Sequence, residues 1–162
     1  MARVYLSIGS NIDREVNIRG GVADLKKQFG ELTLSSVYES ESVGFDGDSF
    51  YNLVAVLDTD EEVEVVSKIL HDIEAEHGRT REGPRFSSRT LDIDLLTYDD
   101  LVSQDNGLEL PRDEITKNAF VLWPLAEIAA DVKHPVLKQT YGELWQAFDK
   151  NKQSLWPVEF QW

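Results

Sequence analysis

Alternation of apolar and polar residues predicts four β-strands in this chain. Successive side chains of a strand point to opposite faces, so an alternating segment can bury one face and expose the other. In the fourth segment, for example, Leu91, Ile93 and Leu95 can enter a core while the residues between them stand on the other side. The predicted strands cover residues 2–9, 31–38, 50–59 and 91–95.

Apolar residues at helical spacing predict helices between and after these strands. A stripe from Ile12 to Phe29 ends at Gly30, a residue type favoured after the last helical turn. Two capping boxes, each a threonine followed three residues later by a glutamate, predict further helix starts at Thr59 and Thr140. The predicted helices cover residues 12–29, 59–77, 120–130 and 140–150.

The resulting order is strand, helix, strand, strand, helix, strand, followed by more helical sequence. That order predicts an α+β fold of the ferredoxin-like βαββαβ type, an antiparallel sheet covered on one face by helices, with additional C-terminal helices. The chain has 162 residues and no internal repeat, so we expect one domain over residues 1–162. The pattern assigns the C-terminal tail to no element.

Composition narrows the classes of function. The chain has no cysteine, which excludes disulfides, thiol nucleophiles and zinc–thiolate sites. Its net charge of −14 argues against nucleic-acid binding, which depends mainly on Lys and Arg, and so against RNA-binding modules with this order of elements. The sequence shows neither a signal-peptide pattern nor an apolar run of about 18 residues, so we expect no membrane partner and a cytoplasmic location.

A pair of aspartates in the fourth predicted strand is the first candidate for chemistry. Asp92 and Asp94 are two residues apart, so their carboxylates share one face at a spacing of roughly 6.5 to 7 Å. Mg²⁺ typically takes one or two carboxylates from a protein and the remaining oxygens from water and phosphates. The pair therefore indicates a magnesium site, although the same pattern is also common on exposed strands without a function.

Arginines are concentrated directly before this strand. Half of the eight arginines fall within residues 79–89, and their guanidinium groups match phosphate oxygens. Next to the aspartates they indicate a site for a magnesium-bound polyphosphate, whereas the alternative is a set of surface ion pairs worth roughly 0 to 1 kcal/mol each. His71 and Glu74, one turn apart near the end of the preceding helix, can face the same ligand or simply line a solvated helix face.

Four motifs give the chain a family resemblance: SIGSN near the start, YN in the third strand, RTLDIDLL, and FVLWPLAEIA. Together they resemble the 6-hydroxymethyl-7,8-dihydropterin pyrophosphokinase (HPPK) family over nearly the whole chain. The resemblance implies a Mg²⁺-dependent diphosphotransferase of folate biosynthesis that acts as a monomer. It would transfer the pyrophosphoryl group of ATP to the hydroxymethyl group of the reduced pterin and release AMP.

The resemblance also implies roles for individual residues. Asp92 and Asp94 would hold two Mg²⁺ ions, with ATP as the co-substrate, and would be catalytic together with Arg79 and Arg89. ATP would be bound by His71, Glu74, Arg81, Arg85, Arg89 and Arg112. The pterin would be bound by Ser40, Val43, Phe50, Asn52 and Phe120, with the two phenylalanines stacking on its ring. Without the resemblance, both rings would be ordinary core aromatics.

One departure from the family pattern concerns the triphosphate. Where the family usually has Pro-His and an arginine six residues after the His, this chain has Pro111-Arg112 and Asn118. Arg112 can compensate for the lost contacts only if it points inward, so we expect an active enzyme with weakened or rearranged ATP contacts. Two alternatives are a paralogue acting on a related pterin alcohol and a pterin-binding protein with weakened catalysis.

Overall fold

The structure, a computed structural model, describes residues 1–40, 49–78, 90–105, 107–151 and 153–162. Its sheet has the strand order β5-β1-β4-β3-β6, with β2 also paired to β4, and every pairing is antiparallel. The strands are β1 Ala2–Ser10, β2 Thr33–Leu34, β3 Val37–Ser40, β4 Phe50–Thr59, β5 Asp92–Tyr98 and β6 Leu155–Val158. The helices are α1 Arg14–Phe29, α2 Val63–Glu76, α3 Glu114–Lys117, α4 Ala119–Ala129 and α5 Tyr141–Ala147.

Helices cover both faces of the sheet, whereas the sequence analysis expects them on one. On one face, α1 and α2 pack against alternate strand residues such as Leu53, Ala55 and Ile93. On the other face, α3, α4 and α5 pack against Val54 and Leu96. The sequence of β4 explains why both faces are covered. Its run LVAVL is continuously apolar, so consecutive side chains of this strand pack into the cores on opposite faces of the sheet. The mixed α/β fold with an antiparallel sheet is confirmed.

Several predicted boundaries differ from those of the structure. The second predicted strand is two short strands, β2 and β3, and the unassigned tail supplies β6, which pairs with β3. The capping box at Thr59 is wrong, because α2 begins at Val63 and the hydroxyl of Thr59 instead accepts from the N–H of Glu61 at 3.1 Å. The capping box at Thr140 is confirmed by its reciprocal hydrogen bonds with Glu143, at 3.1 and 3.0 Å.

Within the described ranges, no helix is both long and apolar enough to cross a lipid bilayer. The cytoplasmic location and the single domain over residues 1–162 stay predictions.

Candidate active site

The two aspartates of β5 lie on the sheet face that α3 and α4 cover. Asp92 pairs with Gly9 of β1 and Asp94 with Ser7, while Ile93 between them enters the core under α1 and α2. Both aspartates are partly buried. The structure thus directs the two carboxylates to one face, as the alternation of the strand requires.

Glu74 fixes the backbone between these aspartates. Its carboxylate is buried, with 2% of the residue exposed, and Oε2 accepts a hydrogen bond from the N–H of Ile93 at 2.8 Å. This N–H points outward because β5 is an edge strand, so a side chain from α2 has to satisfy it. Glu74 therefore holds the stretch of β5 from which Asp92 and Asp94 project.

Arg112 points toward the aspartates. Its Nη2 lies 3.5 Å from Oδ1 of Asp94, and its Nε lies 3.3 Å from Oε1 of Glu114, the first residue of α3. Its backbone N–H donates to the carbonyl of Leu96 at 2.9 Å, which ties the chain before α3 to the edge of β5. The inward orientation that the sequence analysis required of Arg112 is the one observed.

The site carries more negative than positive charge among the residues that the structure describes. Burial raises the pKa of Asp94 well above its ordinary value, the charge of Asp92 raises it further, and Arg112 opposes the shift. No cluster of three or more His, Cys, Asp or Glu ligands occurs in the described part of the chain. Two crowded carboxylates without a third ligand fit Mg²⁺, which takes its other oxygens from water and phosphate.

A cavity of about 220 Å³ opens beside Asp94. His71 of α2 and Arg112 line it together with Asp94, and Leu108 and Leu110 add apolar surface. The structure thereby brings His71, Asp94 and Arg112 to one concave surface, with Glu74 buried behind the strand. The exposed surface of the cavity is mainly polar, which suits a charged ligand.

The residues expected to bind the pterin lie on the same sheet face. Asn52 pairs with Gly9, and Gly9 pairs with Asp92, so one row crosses β4, β1 and β5. Paired residues point to the same face, and two strand spacings put Asn52 and Asp92 roughly 9.5 Å apart. A Cβ at Gly9 would lie 2.7 Å from Oδ1 of Asn52, so the lack of a side chain at Gly9 leaves room for the amide of Asn52.

Asn52 and Ser40 form one polar unit on adjacent strands. Both are buried, and Nδ2 of Asn52 donates to Oγ of Ser40 at 2.9 Å. Phe50 pairs with Ser40 in the same ladder and is partly buried. The structure therefore brings Ser40, Phe50 and Asn52 together.

The fourth aromatic or polar candidate for pterin binding, Phe120, comes from α4. It lies in the first turn of that helix and packs against the core under α3, α4 and α5. The carboxylate of Glu127 on the same helix accepts from the hydroxyl of Tyr38 at 2.6 Å and from the N–H of Ser36 at 3.0 Å. These bonds fasten the helix that carries Phe120 to β3 and to the segment between β2 and β3.

Five sequence candidates lie outside the residues that the structure describes, namely Val43, Arg79, Arg81, Arg85 and Arg89. Two residues of the candidate site were not predicted from the sequence. Glu114 forms an ion pair with Arg112, and only its position two residues after that arginine could have indicated it. Gly9 lies between Asn52 and Asp92, and its place in the SIGSN motif could have indicated it.

Comparison with known proteins identifies the class first. The fold resembles that of the Plasmodium falciparum HPPK-DHPS protein, wild type with SDX-DHP, with a TM-score of 0.66 at 16% identity, covering 91% of this chain and 43% of that one. A second HPPK-DHPS structure, in complex with substrates, gives a TM-score of 0.70 at 12% identity, covering 90% and 42%. At these identities the likeness concerns the fold, an α/β arrangement found in HPPK domains.

The sequence then identifies the family. The pattern of 7,8-dihydro-6-hydroxymethylpterin-pyrophosphokinase (HPPK) matches residues 5–130, and the chain belongs to that family. It is 38% identical over 136 residues to the 2-amino-4-hydroxy-6-hydroxymethyldihydropteridine pyrophosphokinase of Methylorubrum extorquens, covering 82% of this chain and 85% of the relative. The enzyme of the same name from Aquifex aeolicus is 32% identical over 145 residues, covering 88% and 90%.

A eukaryotic relative is much longer. The folic acid synthesis protein FOL1 of Dictyostelium discoideum is 36% identical over 146 residues, which is 87% of this chain and 22% of that protein. The chain thus spans about a fifth of FOL1 but most of the bacterial relatives.

Proposed function

We propose that the protein transfers the pyrophosphoryl group of ATP to the hydroxymethyl group of 6-hydroxymethyl-7,8-dihydropterin and releases AMP. The row Asn52–Gly9–Asp92 is the observation that carries this proposal for the described residues. It sets a buried amide and a partly buried carboxylate on one sheet face, at a separation that a pterin with its hydroxymethyl arm would bridge. Membership of the HPPK family supports the same assignment.

Asn52 would orient the pterin. Because its Nδ2 donates to Ser40, its Oδ1 lies over Gly9, where it can accept a hydrogen bond from a donor edge of the heterocycle. Phe50 and Phe120 would contact the ring faces, and Val43 would contribute its backbone. A buried amide held by a second side chain is suited to orienting a ligand, because it does not have to be ordered when the ligand binds.

Asp92 and Asp94 would hold two Mg²⁺ ions, which when bound neutralise the triphosphate and align it with the acceptor. Arg112 and His71 line the cavity beside Asp94 and would contact the nucleotide there. Glu74, assigned to ATP binding from the sequence, would support the site through the backbone of Ile93. Arg79, Arg81, Arg85 and Arg89 would contribute further phosphate contacts.

The transfer itself needs no protein nucleophile. The hydroxymethyl oxygen would form a bond to the β-phosphorus and lose its proton to solvent, while the bond from that phosphorus to the α,β-bridging oxygen breaks. AMP would leave with the bridging oxygen. Such reactions depend mainly on positioning and on neutralising charge. Arg112, which lies between Asp94 and Glu114, would supply positive charge to the phosphates.

We also propose that the core belongs to the ferredoxin-like class and that the protein acts as a monomer. The strand order β5-β1-β4-β3 supports the first statement, because it places the first and third strands of a βαββαβ unit in the centre of the sheet. The strand β6 and the helices α3, α4 and α5 are then additions to that unit.

The experiment is to measure AMP formation by the purified protein with ATP, Mg²⁺ and the pterin. We expect turnover, and a loss of about 100-fold or more in kcat for Asp92→Asn and Asp94→Asn. Asp58→Asn is the matched control, since Asp58 lies at the far end of β4 in an exposed pair with Arg3. Folded protein without AMP formation at saturating substrates contradicts the proposal.

The same samples distinguish the two alternatives. Turnover restricted to a pterin alcohol with a different side chain would identify a paralogue. Pterin binding without Mg²⁺-dependent ATP binding would identify a pterin-binding protein with weakened catalysis.

A further inference from the structure

A network of polar side chains lies behind the strands that carry Ser40 and Asn52. Its centre is the carboxylate of Glu39, whose Oε2 lies 3.0 Å from Nη1 of Arg14 and 2.5 Å from Oγ of Ser49. Arg14 also donates from Nη1 to the carbonyl and the hydroxyl of Ser49, at 2.9 and 2.8 Å. The backbone of Glu39 pairs with that of Trp156 in the β3–β6 ladder.

This network joins three parts of the fold. Arg14 is the first residue of α1, Glu39 lies in β3, and Ser49 directly precedes β4. Only about a quarter of the Arg14 side chain and a fifth of the Glu39 side chain are exposed. Solvent therefore screens the Arg14–Glu39 ion pair less than it screens the surface ion pairs. Because the carboxylate of Glu39 accepts from several donors, its orientation is fixed.

Alternation along β3 places the network on the opposite face from the pterin residues. Glu39 pairs with Tyr51, whereas its neighbour Ser40 pairs with Phe50 and forms the hydrogen bond to Asn52. The guanidinium of Arg14 lies 3.9 Å from the centre of the Tyr51 ring, on the face of the sheet that carries α1. The network thus contacts β3 and the start of β4 from the opposite face of the sheet, one residue away from the side chains that would touch the substrate.

The β3–β4 ladder is short, and on its other side β3 pairs with β6. It consists of three residue pairs, Tyr38 with Asn52, Glu39 with Tyr51 and Ser40 with Phe50. A shift of this short ladder would move Oγ of Ser40 away from Nδ2 of Asn52 and release the amide from its orientation. The hydrogen bonds to Glu39 oppose such a shift, because they join residues on both strands of the ladder to α1.

We propose that Glu39, held by Arg14 and Ser49, is a positioning residue for the pterin substrate: it fixes the β3–β4 ladder and through it the orientation of Ser40 and Asn52. This inference rests on the proposed function. It assigns no contact between Glu39 and the substrate, and it leaves the cavity beside Asp94 unaffected, since that cavity is formed by α2, β5 and residues 107–112.

The test compares the Michaelis constants of the two substrates. For Glu39→Gln and Arg14→Ala we expect the KM for the pterin to rise about 10-fold, the typical effect of losing one charge-assisted hydrogen bond. The KM for ATP should stay within about twofold of the wild-type value. Arg14→Lys keeps the charge and should recover part of the loss seen in Arg14→Ala.

Two further variants make the result specific. The double variant Arg14→Ala with Glu39→Gln should raise the pterin KM no more than the stronger single variant, because both act through one network. Asp58→Asn breaks an ion pair of the same type between β4 and β1 and should leave both KM values unchanged. Circular dichroism and Tm of every variant establish that it is folded.

The outcomes separate this inference from the proposed function. A parallel rise of both KM values, or a lower Tm with an unchanged pterin KM, would show a merely structural role and overturn the inference. If the wild-type protein forms no AMP, the proposed function fails, and pterin affinity is measured by quenching of tryptophan fluorescence instead. A dissociation constant about 10-fold weaker in Glu39→Gln then supports the inference, whereas equal or absent binding in both proteins overturns it.

Discussion

At the scale of single residues, Arg112 is held beside the site by two carboxylates. The guanidinium lies between Asp94 and Glu114, and the backbone N–H of Arg112 donates to the carbonyl of Leu96. Under the proposed function, a triphosphate bound in the cavity beside Asp94 would compete with both carboxylates for Arg112. The net contribution of Arg112 to the free energy of ATP binding is therefore the energy of its phosphate contacts minus the energy of the carboxylate contacts that it gives up.

We therefore expect Arg112→Ala to raise the KM for ATP by about 10-fold, within the range for one charge-assisted hydrogen bond. The KM for the pterin should not change, because Arg112 lies beside β5 and not beside β3 or β4. Steady-state kinetics with each substrate varied in turn measures both constants. Arg3→Ala, an exposed arginine of β1 paired with Asp58, is the control. An unchanged KM for ATP would mean that Arg112 only balances the charge of Asp94.

A second prediction at the scale of single residues concerns Gly9. A Cβ at this position would lie 2.7 Å from Oδ1 of Asn52, so Gly9→Ala should destabilise the protein by about 1 to 3 kcal/mol and weaken pterin binding. In an Asn52→Ala background the clash is gone, and the same substitution should cost much less. Urea unfolding of the four proteins measures the coupling. Equal costs in both backgrounds would contradict the proposed contact between the two residues.

At the scale of elements, the turn between α4 and α5 contains a buried titratable group. Nδ1 of His134 accepts hydrogen bonds from the N–H groups of Val136 and Leu137, at 3.2 and 3.1 Å. This geometry requires a neutral ring, and burial lowers the pKa of His134 below its ordinary value of 6.5. The unfolded chain therefore binds the proton more readily than the folded one, so stability rises with pH in this window.

We expect the urea midpoint to fall as the pH is lowered from 7.5 through 6.5 toward the folded pKa, with the His134 contribution complete above 6.5. His134→Asn retains an acceptor for the two N–H groups and cannot titrate, so the difference in midpoint between wild type and variant should shrink toward acid pH. Unfolding curves at pH 7.5, 6.5 and 5.5 test this. A constant difference across the three pH values would exclude His134 as the cause.

The elements also show what a sequence pattern can predict. β4 was predicted with its observed bounds, because ten residues of strand-forming sequence end in polar residues on both sides. The start of α2 was wrong, because Thr59 remains in β4, paired with Ala2, and so cannot cap a helix. The strand β6 was not predicted, because a four-residue segment with Pro157 has no alternation, and only β3 beside it makes it a strand.

At the scale of the whole molecule, the candidate site depends on register more than on any single motif. Asn52 and Asp92 are 40 residues apart in the sequence, and each has a local pattern that the sequence analysis recognised. They lie in one row across the sheet because both pair with Gly9. Such pairing between three strands cannot be predicted from local sequence patterns. The chemistry of the residues was thus predictable, whereas their arrangement required the resemblance or the fold.

The charge balance of the molecule gives the last prediction. With a net charge of −14 and two crowded carboxylates at the site, the ligand-free protein carries repulsion that a divalent cation with its nucleotide would relieve. A ligand that binds only the folded state raises Tm by mass action, so Mg²⁺ with a nonhydrolysable ATP analogue should raise Tm by several degrees. Asp94→Asn should lose most of this shift and Asp58→Asn should keep it. An equal shift with EDTA in place of Mg²⁺ would mean that the nucleotide binds without the metal, and would remove the two aspartates from the proposed mechanism.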